Sequence, residues 1–161
     1  LPTEAEWERA CRAGTQGATW VGELDVVSRN HAPVLDAISW YSGNSGVDFD
    51  LEEGRDSSKW EAKQHNHRIA GTREVKRKKP NPWGLFDMLG NVSEWCLDTW
   101  IDSYDPGPRS DPLGSGEGPY KVVRGGAFDE DVYDQTAGRR FSYRPNDSTF
   151  YIGFRWAAKD D

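Results

Sequence analysis

Cysteine is nearly absent from this chain. Cys11 and Cys96 are the only two among 161 residues, too few for a disulfide framework. Cys96 follows Trp95, and Cys11 shares a helical spacing with Trp7, so both read as buried free thiols, which favours a cytoplasmic setting. A single bridge between them is the other reading. Apolar residues are also scarce, at 35%, and no run approaches the length of a membrane span. An excess of basic charge is missing too. Twenty Lys and Arg face 27 Asp and Glu, and a net charge of −7 argues against nucleic acid as the main partner. Histidine occurs three times, without the pattern of a helical metal bundle. The residues present in quantity are eight tryptophans, six tyrosines, six phenylalanines, 17 glycines and nine prolines. Such a composition predicts one loop-rich domain over 1–161, with a core built from few, large side chains.

The chain is organised around residues 80–95, where Trp83, Phe86 and Trp95 surround Gly84 and Gly90 and the carboxylates Asp87 and Glu94. Pro82 and Gly84 break a helix, and Gly90-Asn91 is a turn signal, so the segment reads as irregular and buried through its aromatics. Asp87, Gly90, Val92 and Glu94 stand at positions 1, 4, 6 and 8 of a short run. Two carboxylates and two peptide carbonyls make the all-oxygen setting that calcium prefers. In the competing reading Asp87 caps a turn and Glu94 pairs with Arg124 or Arg155.

Elsewhere the elements are short. Residues 3–13 predict a helix, with Thr3 and Glu6 as a capping box, Trp7, Ala10 and Cys11 on one face, and Gly14 just past its end. Tyr120 to Arg124 reads as a strand, Gly125-Gly126 as a bulge or close backbone approach, and 151–158 as the final strand. Residues 47–70 carry acidic groups followed by His65 and His67. A solvated insertion is expected there, with a two-histidine metal site as the sharper alternative.

Four stretches together resemble the formylglycine-generating enzyme (sulfatase-modifying factor) family: residues 80–95, Leu-Pro-Thr-Glu-Ala-Glu-Trp-Glu at 1–8, Val-Val-Arg-Gly-Gly-Ala-Phe at 122–128, and Ile-Gly-Phe-Arg at 152–155. The resemblance implies an α+β, C-type-lectin-like fold with few short strands and one clear helix. It further implies structural calcium at Asp87, Gly90, Val92 and Glu94. Family members carry a longer N-terminal part that adds strands. This chain is accordingly expected to have shed those strands, or to be part of a larger polypeptide or assembly.

Catalytic members hold copper on two cysteines shortly after the Arg-Gly-Gly motif. The matching stretch here, residues 129–135, has none, so no copper is expected and formylglycine generation is rejected. The sulfoxide synthase of ergothioneine biosynthesis adds a helical, iron-binding domain that has no counterpart here. An oxidoreductase with an altered metal site, drawing on His65 and His67, stays as the alternative.

What remains is recognition. Asp129, Asp131, Tyr133, Asp134, Phe141, Tyr143, Asn146, Asp147, Thr149 and Phe150 mix large aromatics with small polar groups, the makeup of adaptable binding surfaces. Arg139, Pro145, Gly153 and Arg155 read as scaffold. The layout is similar to the variable proteins of diversity-generating retroelements, which place hypervariable residues in this part of the fold. The expected function is a non-catalytic, calcium-stabilised domain that binds a protein or small-molecule ligand, with residues 129–151, Tyr151 included, as its recognition face.

Overall fold

The computed structural model describes residues 1–48, 54–103, 117–147 and 149–158. It contains one α-helix, α1 (Glu4–Arg12), and six short strands: β1 (Arg55–Asp56), β2 (Ile69–Ala70), β3 (Ser93–Thr99), β4 (Lys121–Arg124), β5 (Arg140–Tyr143) and β6 (Ile152–Gly153). Two 3-10 turns, Pro33–Ala37 and Val132–Asp134, complete the regular structure. This is the loop-rich α+β architecture expected from the glycine and proline content.

α1 forms where its sequence says. The Thr3 side chain accepts from Glu6 N at 3.2 Å, and Glu6 returns a carboxylate to Thr3 N at 2.7 Å, satisfying two orphan donors of the first turn. The helix ends one residue earlier than the glycine suggests. Ala13, with φ 46°, takes the left-handed cap and donates to Arg9 O.

The main sheet has the order β5-β4-β3-β6. β3 and β4 run antiparallel with Glu94 opposite Arg124 and Trp95 opposite Val123, and β4 and β5 pair Arg124 with Arg140 and Val122 with Ser142. β6 runs parallel to β3 and pairs only through Ile152 and Gly153. The expected strand over 151–158 is therefore much shorter. Phe154 is 58% exposed and Trp156 86% exposed, and their rings meet edge to face at 5.5 Å. Trp83 also departs from expectation: it is 52% exposed, with only the Arg9 guanidinium over its ring.

Trp7, Cys11, Leu35, Ile38, Tyr41, Met88, Leu89, Cys96 and Val122 form the core between α1, the sheet and the loops. Both thiols are free and buried, and burial raises Cys11 to about 12 and lifts Cys96 further, so neither is a ready nucleophile.

Two consecutive glycines aim the chain at the functional face. Gly125 (φ 99°) and Gly126 (φ 74°) leave β4 in left-handed conformations. A Cβ on Gly126 would sit 2.7 Å from Asp134 O, so the loop beyond can fold back only over glycine.

Candidate functional site

The loop after β4 is pinned before it reaches solvent. Phe128, 1% exposed, donates from its amide to Asn91 O at 3.0 Å, and its carbonyl accepts from Ser45 Oγ at 2.8 Å. Asp129 to Asp134 then run along one side of an open cavity of about 440 Å³. Asp131 caps the short 3-10 turn by accepting from Tyr133 N at 3.0 Å, and its other oxygen accepts from Arg29 at 2.9 and 2.6 Å. Val132, fully buried, donates to Arg29 O and locks the turn against the loop at Arg29.

Four carboxylates border the cavity: Asp129, Glu130, Asp131 and Asp134. Arg29 and Arg55 supply the positive charge, and Trp60, Tyr143 and Tyr151 the apolar walls. Arg55 pairs with Asp129 Oδ2, yet the Asp129 side chain is only 4% exposed and its Oδ1 is buried without a hydrogen-bond partner. Burial, reinforced by Asp134 and Asp129, pushes the Glu130 carboxyl up to about 7, although Oε2 accepts from Ala127 N at 2.8 Å. Asp134 is raised by burial and by Asp131, against the pull of Arg139 at 2.8 Å. Burial and the neighbouring Tyr151 likewise hold the Tyr143 phenol well above its ordinary range. Both tyrosine rings meet at 6.3 Å, and Trp95 backs Tyr143 at 6.5 Å.

Of the expected recognition residues, Asp129, Asp131, Asp134 and Tyr143 line this cavity. The others lie outside its lining. Tyr133 is 58% exposed, Phe141 carries the Arg139 guanidinium at 4.9 Å, and Phe150, 68% exposed, stacks between Phe128 and Tyr151. Asn146 and Asp147 occupy an exposed turn closed by Arg144 N donating to Asp147 Oδ2 at 3.0 Å. Thr149 is half-buried, with Oγ1 out of solvent and unpartnered. Sequence reasoning missed Arg29, Asn30, Ser42, Arg55 and Trp60, which also line it. Glu130 and Tyr151, further lining residues, fall within the 129–151 segment expected to form the recognition face. Nothing local marks Arg29 or Arg55.

The 47–70 stretch is no free insertion loop. Residues 49–53 lie outside the described residues, but the rest is tied down by Tyr41 Oη donating to Gln64 at 2.5 Å, Gln64 N to Asn30 O, and Lys63 to the carbonyls of Ser57 and His67. These bonds bring Arg55 and Trp60 to the cavity. The two histidines do not converge. His65 Nε2 lies 3.1 Å from Asp36, while His67 packs edge to face on Trp60 and bonds through Nδ1 to His65 O. Among the described residues, no three His, Cys, Asp or Glu are grouped to hold a metal.

A second cavity, about 380 Å³, is lined by Asp87, Gly90, Val92 and Glu94 together with Lys76, Phe154 and Arg155. Asp87 (φ 52°), Gly90 (φ 76°) and Asn91 (φ 65°) are all left-handed, a concentration of strained backbone. Asp87 Oδ2 accepts from Lys76 N at 2.8 Å. Arg155 grips Glu94 with two bonds of 2.5 and 2.6 Å, and the Trp7 indole donates to the same carboxylate at 2.7 Å. The residues fit calcium in donor type and in bordering one cavity. Glu94, however, is already neutralised, so a cation there would share it with Arg155.

Comparison with known proteins agrees with this fold. The model of the sulfatase-modifying factor enzyme 1-like domain matches residues 1–160. The formylglycine-generating enzyme of Streptomyces coelicolor is 34% identical over the whole chain, covering 47% of its own length. That of Thermomonospora curvata is 32% identical over 98% of the chain and 48% of its own length. The chain thus spans about half the length of the curated relatives it matches. Among solved structures, Treponema denticola variable protein 1 superposes with a TM-score of 0.71 and 32% identity, over 96% of this chain and 45% of that one.

Proposed function

From the premise that this chain belongs to the sulfatase-modifying factor enzyme 1-like family, we propose that it is a non-catalytic ligand-binding domain. Its recognition site is the cavity between the 129–134 loop, Trp60 and the Tyr143–Tyr151 pair. One observation carries the reading. A pocket with one buried carboxylate oxygen left without a donor, three further carboxylates and aromatic walls is assembled from stretches far apart in the chain, and neither cysteine lines it. The copper-binding cysteine pair of the catalytic members has no counterpart in residues 129–135. Likeness to a variable protein supports a further reading, that the exposed residues about the cavity, Tyr133, Asn146, Asp147 and Phe150, are positions open to diversification. Sequencing the gene across a population tests it: substitutions clustered there and absent from 80–95 are expected, and an even spread refutes it.

Calcium held by Asp87, Glu94 and the peptide carbonyls of Gly90 and Val92 would brace the strained turn beneath β3 and β6. Shared lining of one cavity by these four residues supports this reading, and the Glu94–Arg155 ion pair is its rival.

The binding reading is tested by a fragment screen followed by protein NMR. Hits should perturb Trp60 and Tyr151 signals, and Tyr143→Ala should abolish those shifts while the variant melts cooperatively. Hits that map elsewhere and ignore Tyr143→Ala would refute the site.

A further inference from the structure

The chemical class of the ligand can be read from which charges in the cavity are already committed. Arg29 gives both of its bonds to Asp131, Arg139 pairs with Asp134, and Arg55 holds one oxygen of Asp129. Asp129 Oδ1 is left buried and without a donor, on a side chain 4% exposed. Glu130 accepts the Ala127 amide, and Arg139, which acts on it, is paired with Asp134. A carboxylate oxygen shut away from water and donors is among the least tolerated arrangements in a folded chain, unless a ligand completes it. Tyr143 and Tyr151 line the same cavity and offer aromatic surface to an aliphatic stem.

A bare metal ion does not suit this arrangement, because among the described residues no three acidic, histidine or cysteine groups converge on one point. An anion does not suit it either, since four carboxylates border the cavity against two guanidiniums, both engaged. We infer that the cavity binds a ligand bearing a primary ammonium group, which donates to Glu130 and to Asp129, whose carboxyl turns Oδ1 into the cavity to receive it, while the aliphatic stem lies against Tyr143 and Tyr151. The inference rests on the cavity being the recognition site. Lysine side chains and free alkylamines present the same chemistry.

The test uses defined probes on the whole chain. n-Butylammonium and the peptide acetyl-Gly-Lys-Gly-amide are titrated by NMR and calorimetry against neutral n-butanol and acetyl-Gly-norleucyl-Gly-amide, and against butyrate. Each cation should bind at least tenfold more tightly than its neutral counterpart. Asp129→Asn should erase that preference, Glu130→Gln should weaken it, and Glu74→Gln on the exposed basic segment should leave it intact. A lysyl peptide that outbinds butylammonium tenfold identifies a polypeptide source, and the reverse order a free amine. Equal binding of charged and neutral probes, or preference for butyrate, overturns the ammonium assignment. If those other probes still depend on Tyr143, the recognition site itself survives. Silence of every probe at Trp60 and Tyr151 overturns both. Should Asp129→Asn fail to melt cooperatively, Glu130→Gln decides alone, and an unchanged cation preference in it overturns the inference.

Discussion

Two regions of this protein bury charge, and they do so in opposite ways. Beneath α1, Glu4 and Glu8 each have their cations. Glu4, 4% exposed at its side chain, takes two bonds from Arg140 at 2.6 and 2.9 Å and lies 3.4 Å from Arg124. Glu8 takes Arg124 and Arg12, and Asp98 accepts from Glu4 N at 2.6 Å. Arg124, fully buried, places its terminal nitrogens on Glu8 and the carbonyls of Ala137 and Arg139 and lies over Trp7, while its Nε, 3.4 Å from Glu4, makes no hydrogen bond. In the cavity on the other side of the sheet, Asp129 keeps one buried oxygen without a partner, and Glu130 accepts only a backbone amide among the bonds of the described residues. A closed network of charge fixes how a helix sits on a sheet. An open one leaves an oxygen for some other group to complete, which is the basis of the proposed recognition site.

Breaking the closed network should have the largest effect. Arg124→Ala removes one cation from Glu4 and Glu8, strands the carbonyls of Ala137 and Arg139 and opens a void against Trp7, and unfolding stability should drop by about 2–5 kcal/mol in urea melts. A loss below about 1 kcal/mol would show that the network is ornamental.

The cavity predicts a smaller and pH-dependent effect. Glu130 carries a carboxyl raised in the folded protein from 4.5 to about 7. The folded state therefore binds more protons than the unfolded chain across that range. Stability is greatest below the unfolded value and falls as pH rises towards 7, by at most about 3 kcal/mol. Glu130→Gln should flatten that part of the stability curve. A wild-type curve already flat between pH 4.5 and 7 would refute the shifted carboxyl.

At the 80–95 turn, calcium at one hundred times its dissociation constant would raise stability by about 3 kcal/mol, and chelation would remove the gain. Asp87→Ala should abolish the calcium response. If wild type and variant melt alike with calcium and with chelator, the Glu94–Arg155 pair is the brace and no cation is involved.

The smallest effects belong to the rim. Tyr133→Ala, at a site 58% exposed, should change stability by no more than about 0.5 kcal/mol, and any larger loss would show the residue to be part of the scaffold.

Much of the scaffold was legible in the sequence because its causes are local. Thr3 and Glu6 announced a capping box, Val122-Val123 a strand, and Gly125-Gly126 a close approach, each within a few residues. Tryptophan was a poorer guide. Burial of Trp83 was inferred from its size, but size states what burial would gain and not whether a partner surface is present. The cavity was only half legible. Asp129, Asp131, Asp134 and Tyr143 were found because they cluster near one another in the chain. Arg29 meets Asp131 across 102 residues and Arg55 meets Asp129 across 74, distances over which no periodicity or spacing carries information.

The sequence by itself determined the family, the glycine-dependent turns and the aromatic makeup of the recognition segment, since these follow from backbone sterics and residue chemistry. Only the tertiary structure decided which carboxylates have partners. Whether Glu94 meets Arg155 and Asp129 meets Arg55, and whether an oxygen is left over, depends on where loops far apart in the chain come to rest against one another.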